Sequence, residues 1–158
     1  GGIVCINATP VSSYRNIVNS RGIGPNQETP AFDSFIGEVQ RLRTMKVLSH
    51  EEAMKDLDSL RSATALIVVT EDYPLPGEDF EKQAQQQLVK ALCELYSEKL
   101  IIVGLRSPYE LSLYPKQVTY LCAYSSRTCS AIAAARVLLE GREITPHAKL
   151  PVSVGFER

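Results

Sequence analysis

The stretch Leu100-Ile101-Ile102-Val103-Gly104-Leu105-Arg106-Ser107-Pro108-Tyr109 decides the fold. A short apolar run, β-branched at Ile101, Ile102 and Val103, breaks at Gly104 into a polar segment containing a proline. A strand covered by helices on both faces has no solvent side, so it reads as a continuous apolar run rather than an alternating one. Open α/β sheets place ligand-contacting groups at the carboxyl ends of such strands. The stretch therefore predicts a parallel strand with a polar exit at Arg106 to Tyr109.

Working outward, the same signature recurs. Ala65-Leu66-Ile67-Val68-Val69-Thr70 is a second continuous run, Ile3-Val4-Cys5-Ile6 a third, and Val118-Thr119-Tyr120-Leu121-Cys122-Ala123 a fourth. Met45, Val47 and Leu48 suggest a short strand between them. Leu150-Pro151-Val152-Ser153-Val154 reads as a last one, with its proline favouring an edge or strand start.

Helical spacing fills the gaps. Tyr14, Ile17 and Val18 recur at three and four, as do Phe32, Phe35, Ile36, Val39 and Leu42 after a cap at Thr29 or Asp33. Ser49 with Glu52 forms a capping-box pattern ahead of Ala53, Met54, Leu57 and Leu60, all expected to face inward. The acids Glu78, Asp79 and Glu81 suit the first turn of a helix running to about Tyr96. Phe80, Ala84, Leu88, Leu92 and Leu95 are expected on its buried face, with the Gln-rich face solvated. A short turn or helix is expected from Pro108 to Leu113. The Ala-rich segment Ser130 to Glu140 predicts a helix lying close on the sheet, stopped by Gly141. Strand and helix alternate throughout. The expectation is one domain over residues 1–158, a three-layer α/β/α sandwich around a mostly parallel sheet of five or six strands in a flavodoxin-like arrangement.

Composition narrows the function. Of 158 residues, 44% are hydrophobic and 22% charged, and the net charge is −1. A near-neutral chain lacks the electrostatic basis for nucleic-acid binding, so no nucleic-acid partner is expected. The apolar runs fall far short of the ~20 residues needed to cross a bilayer, so no membrane association is expected either. No signal peptide is visible at the start. Cys5, Cys93, Cys122 and Cys129 form no CxxC pair, which argues against zinc and thioredoxin-like chemistry. Cys5, Cys93 and Cys122 read as buried thiols and Cys129 as a thiol near a helix start. Free thiols favour a cytoplasmic setting, and the sequon Asn7-Ala8-Thr9 would matter only in a secreted chain. His50 and His147 read as surface residues. Neither a Gly-x-Ser-x-Gly elbow nor a Gly-rich phosphate loop is present, so hydrolase-triad and dinucleotide readings fail at their main signatures, and no cofactor or metal is expected.

Two sets of residues remain. Glu71, Asp72, Glu78 and Asp79 cluster after the strand 65–70. Glu71 and Glu78 are acid/base candidates, set against their simpler role as partners of a helix dipole. Arg106 and Tyr109, with Tyr124 and Arg127, lie on two other strand exits, where an Arg fork and aromatic faces suit a polar ligand.

Ile102 to Leu111, Tyr120 to Ser125, the Ala-rich helix ending Leu138-Leu139-Glu140-Gly141, and Ala148-Lys149-Leu150-Pro151-Val152-Ser153-Val154 together resemble the C-terminal domain of glycoside hydrolase family 3. The branch is the β-N-acetylglucosaminidase-like one. Leu75-Pro76-Gly77 before a Gln-rich helix resembles the family too. The resemblance implies an α/β sandwich following a (β/α)-barrel that binds an N-acetylglucosamine-containing glycoside and supplies the nucleophilic Asp. It implies retaining hydrolysis through a covalent glycosyl-enzyme intermediate. In the glucosidase branch the sandwich supplies the acid/base Glu; in the N-acetylglucosaminidase branch a His–Asp pair on the barrel does so. Gly77-Glu78-Asp79-Phe80 has the acids of the glucosidase motif without its Arg. The resemblance thus implies an auxiliary domain, inactive alone, whose Arg106, Tyr109, Tyr124 and Arg127 face substrate or the barrel expected upstream. A stand-alone flavodoxin-like domain holding a small polar ligand or a partner protein is the alternative. A β-glucosidase domain using Glu71 or Glu78 is the second alternative.

Overall fold

The computed structural model of the chain describes residues 2–10, 30–71 and 82–140. In order, the elements are β1 (Ile3–Asn7), α1 (Ala31–Leu42), β2 (Lys46–Leu48), α2 (His50–Lys55), a 3-10 turn (Asp58–Ser62) and β3 (Ala65–Thr70). Then come α3 (Lys82–Tyr96), a 3-10 turn (Ser97–Lys99), β4 (Leu100–Gly104), a 3-10 turn (Tyr109–Leu113), β5 (Thr119–Cys122) and α4 (Thr128–Glu140).

The strands form one sheet in the order β2-β1-β3-β4-β5, every pair parallel. Register follows from burial on both faces, since a one-residue slip would exchange every side chain between two different helix layers. Val4, Ile6, Leu66, Val68, Leu100 and Ile102 point to one side, where they meet Ala53 of α2 and Leu88, Val89 and Leu92 of α3. Cys5, Ile67, Val69 and Val103 point to the other, against Phe32, Phe35 and Val39 of α1 and Ala131, Ala134 and Ala135 of α4. The three-layer sandwich is thus built by alternation within apolar runs, and the sequence expectation holds.

The small side chains of α4 do what their size allows. Ala131 and Ala135 are fully buried, and α4 lies along α1. Glu38 of α1 ties the pair on the outside, accepting from Arg136 Nε at 2.6 Å and Arg41 Nη2 at 2.7 Å. At α2 the Ser49–Glu52 capping box is present in both directions.

Some expectations need correction. Met54 is exposed, because α2 ends at Lys55 and turns only Ala53 inward; Leu60 is buried from the separate 3-10 turn. Leu95 is exposed as well, and Tyr96 takes the buried position at that end of α3. The Gln-rich side of α3 is not uniformly solvated, because Gln85 is buried. The N-cap of α1 is Pro30, without a side-chain cap bond, and Asp33 sits in the first turn. Helix α4 starts at Thr128, and β5 is shorter than the run that suggested it. Cys5 and Cys93 are buried as expected, but Cys122 is half-buried, since β5 is a sheet edge. The helix expected around Tyr14 to Val18, the strand expected at Leu150–Val154, and His147 lie outside the described residues.

Candidate functional site at the strand exits

The order β2-β1-β3 reverses direction at β1: the chain moves outward to β2, then crosses back to β3. In sheets of this order the crevice outside the carboxyl ends of β1 and β3 is the usual ligand position. Here the described strand ends carry buried polar side chains that bond to one another. Asn7 Oδ1 accepts from Thr9 N at 3.0 Å, closing a tight turn after β1, and Ala8 N extends the ladder to Val69 O at 2.9 Å. Gln85 reaches in from α3. Its Oε1 accepts from Glu71 N at 3.1 Å and from Thr9 Oγ1 at 3.0 Å, while its Nε2 donates to Glu71 O at 3.1 Å. One amide therefore bonds both backbone groups of the residue leaving β3 and holds the exit of β1 against it. Thr9 is 1% exposed, Gln85 2% and Glu71 4%.

A second cluster sits at the carboxyl ends of β3, β4 and β5. Glu110 points inward from the 3-10 turn Tyr109–Leu113 and is buried. Its Oε1 accepts from Thr70 Oγ1 at 2.5 Å and from Tyr120 Oη at 3.0 Å, and its Oε2 from Tyr114 Oη at 2.9 Å. Tyr120 Oη also lies 3.1 Å from Ser107 O. Burial, and after it the Glu110 carboxylate, push the Tyr120 hydroxyl far above the usual phenol range. Gly104 closes β4 directly against this cluster, in register with Thr70 and Cys122. A Cβ there would stand 2.6 Å from Glu110 Oε1 and 2.8 Å from Tyr120 Cζ, so the break in the apolar run marks a close approach rather than a flexible joint.

The residues singled out from sequence fall into different environments. Glu71 is buried beside the Gln85 amide, and Glu78 lies outside the described residues. Arg106, Tyr109, Tyr124 and Arg127 do lie on neighbouring exits, since Ala123 N donates to Gly104 O at 2.8 Å and carries the β4–β5 pairing one step further. Arg106 is half-buried, with its Nη1 buried, whereas Tyr109 and Tyr124 turn large faces outward and Arg127 is exposed. Tyr124 has φ 57°, the left-handed region, which costs a non-glycine residue about 1–2 kcal/mol.

Gln85, Glu110, Tyr114 and Tyr120 were not singled out from sequence. A signal existed for one of them. Gln85 falls on the stripe completed by Leu88, Val89, Leu92 and Tyr96, so helical spacing places it inside. Glu110 had no such signal: it is buried beside Leu111, while Leu113, three residues on in the same 3-10 turn, is exposed.

Chemically, the Gln85 and Glu110 clusters are hydrogen-bonded internally, and the buried thiols are unreactive. Burial pushes the Cys5 thiol up to about 12 and Cys93 up to about 11, and it raises Cys122 as well, so these thiols are protonated at neutral pH. Among the described residues no group of three or more His, Cys, Asp or Glu is arranged to hold a metal ion, and no helix is long and apolar enough to cross a membrane. A cleft of about 340 Å³ opens at the opposite end of the sheet, between Gly2, Ile3, Thr44, Lys46 and Ser62, away from the described strand exits.

Fold and site together define a class: a doubly wound parallel α/β domain whose described strand exits are closed by its own polar side chains. Comparison with known proteins adds no particular identity, because no family model, curated protein or solved structure matches the chain.

Proposed function

We propose that the chain is the auxiliary C-terminal sandwich of a retaining β-N-acetylglucosaminidase-like glycoside hydrolase. In this reading it stabilises a (β/α)-barrel of the same polypeptide and walls one side of the cleft that takes an N-acetylglucosamine-containing glycoside. The observation that carries the reading is how the carboxyls at the described exits are used. Glu110 is consumed by hydroxyl partners, and Glu71 is buried beside the Gln85 amide. Retaining hydrolysis needs two carboxyl groups facing one glycosidic bond about 5–5.5 Å apart. With Glu71 and Glu110 enclosed, neither of these two carboxyls is presented to a glycosidic bond, which supports a reading in which a neighbouring domain does the chemistry. The outward-facing Tyr109, Tyr124 and Arg127, with the half-buried Arg106, then form the wall.

The test is twofold. The coding sequence upstream of Gly1 is expected to encode a barrel carrying an Asp nucleophile and a His–Asp pair. That longer polypeptide is expected to cleave an aryl N-acetyl-β-glucosaminide while residues 1–158 alone do not. An upstream sequence without a barrel, or turnover by the short chain, overturns the reading.

A second reading is favoured by the sheet order. Flavodoxin-like domains hold small polar ligands outside the strand ends at such a reversal, and here those ends carry the buried Asn7 and Thr9, met by the buried Gln85. Titration of the chain with N-acetylglucosamine, nucleotides and flavin, followed by amide NMR, separates the two. Saturable shifts at Asn7, Thr9 and Gln85 support a stand-alone binding domain, and flat responses throughout remove it.

A further inference from the structure

We draw no further inference here: the strongest candidate, the exposed patch of Tyr109, Leu113 and Tyr124 beside Arg127 at the exits of β4 and β5, carries nothing because nothing in the structure shows what covers it, and the buried Glu110 beneath it belongs to the site already described.

Discussion

Gln85 and Glu110 are both buried polar side chains at the carboxyl ends of the strands, yet they hold the fold by different chemistry. Gln85 is an amide, with donors and an acceptor on one group. It can therefore bond the N–H and the C=O of Glu71 at once, as a neighbouring strand would. Glu110 accepts only, and its partners are three hydroxyls from β3, β5 and the end of its own turn. The amide cluster extends the pairing between the exits of β1 and β3 by side-chain bonds. The carboxyl cluster gathers side chains around the close approach at Gly104. The first depends on a polar group at the N-terminal end of a helix's buried stripe; the second depends on the absence of a side chain.

That difference ranks the substitutions. The largest loss is expected for Gly104→Val, which drives a branched side chain into Glu110 and Tyr120. Overpacking of a closed site costs about 1–3 kcal/mol and sometimes more, and here it also displaces hydrogen-bonded groups, so an effect at the top of that range is expected. Urea unfolding measures it; a midpoint near that of the parent chain would show that the cluster yields easily. Gln85→Ala comes next. It takes the Gln85 bonds away from the buried N–H and C=O of Glu71, and a buried group left unsatisfied costs about 1–3 kcal/mol. Amide exchange at Glu71 is expected to accelerate far more than exchange at Ile102 on the neighbouring strand, which keeps its ladder. Equal acceleration at both would mean that Gln85 supports the whole sheet rather than one exit.

Tyr114→Phe removes one of the three hydroxyls from Glu110 and leaves the ring packing in place. About 1 kcal/mol is expected, less than for Gln85→Ala, because Thr70 and Tyr120 still serve the carboxyl. A loss equal to that of Gln85→Ala would make the two clusters equivalent. The smallest effect belongs to the surface. The Arg41 and Arg136 guanidiniums hold the Glu38 carboxyl down, from 4.5 to about 2. A depressed acid contributes stability above its unfolded value and loses it as pH falls through the folded one. Thermal unfolding of Glu38→Gln is therefore expected to show a shallower decline than the parent chain as pH drops from 4.5 to about 2. Superimposable acid limbs would show that the α1–α4 tie, whose two arginines are exposed, is screened out.

Much of this was legible in the residues. The runs at Ile3, Ala65 and Leu100 announce strands buried on both faces, and their spacing by helical segments announces parallel pairing. The Ser49–Glu52 cap is local, so its pattern translates directly into its bonds. The site was harder to read. Arg106, Tyr109, Tyr124 and Arg127 stood out because they are charged or aromatic at strand exits, and the structure does put them on adjacent exits. Glu110 did not stand out, because its partners Thr70 and Tyr120 are brought to it only by the order of β3, β4 and β5. Met54 and Leu95 misled for a local reason: each lies within its helix next to a buried position, Ala53 and Tyr96, and one residue is a rotation of about 100° away from the inward face.

The sequence by itself determined the class of fold, because hydrophobic periodicity and caps act over a few residues. It also determined the break at Gly104. Only the tertiary structure decided that this break seats a buried glutamate, that Gln85 bridges the exits of β1 and β3, and which of the described carboxyls are enclosed. Those outcomes depend on strand order, and strand order is set by how the described helices share two faces of one sheet, a choice no local segment makes alone.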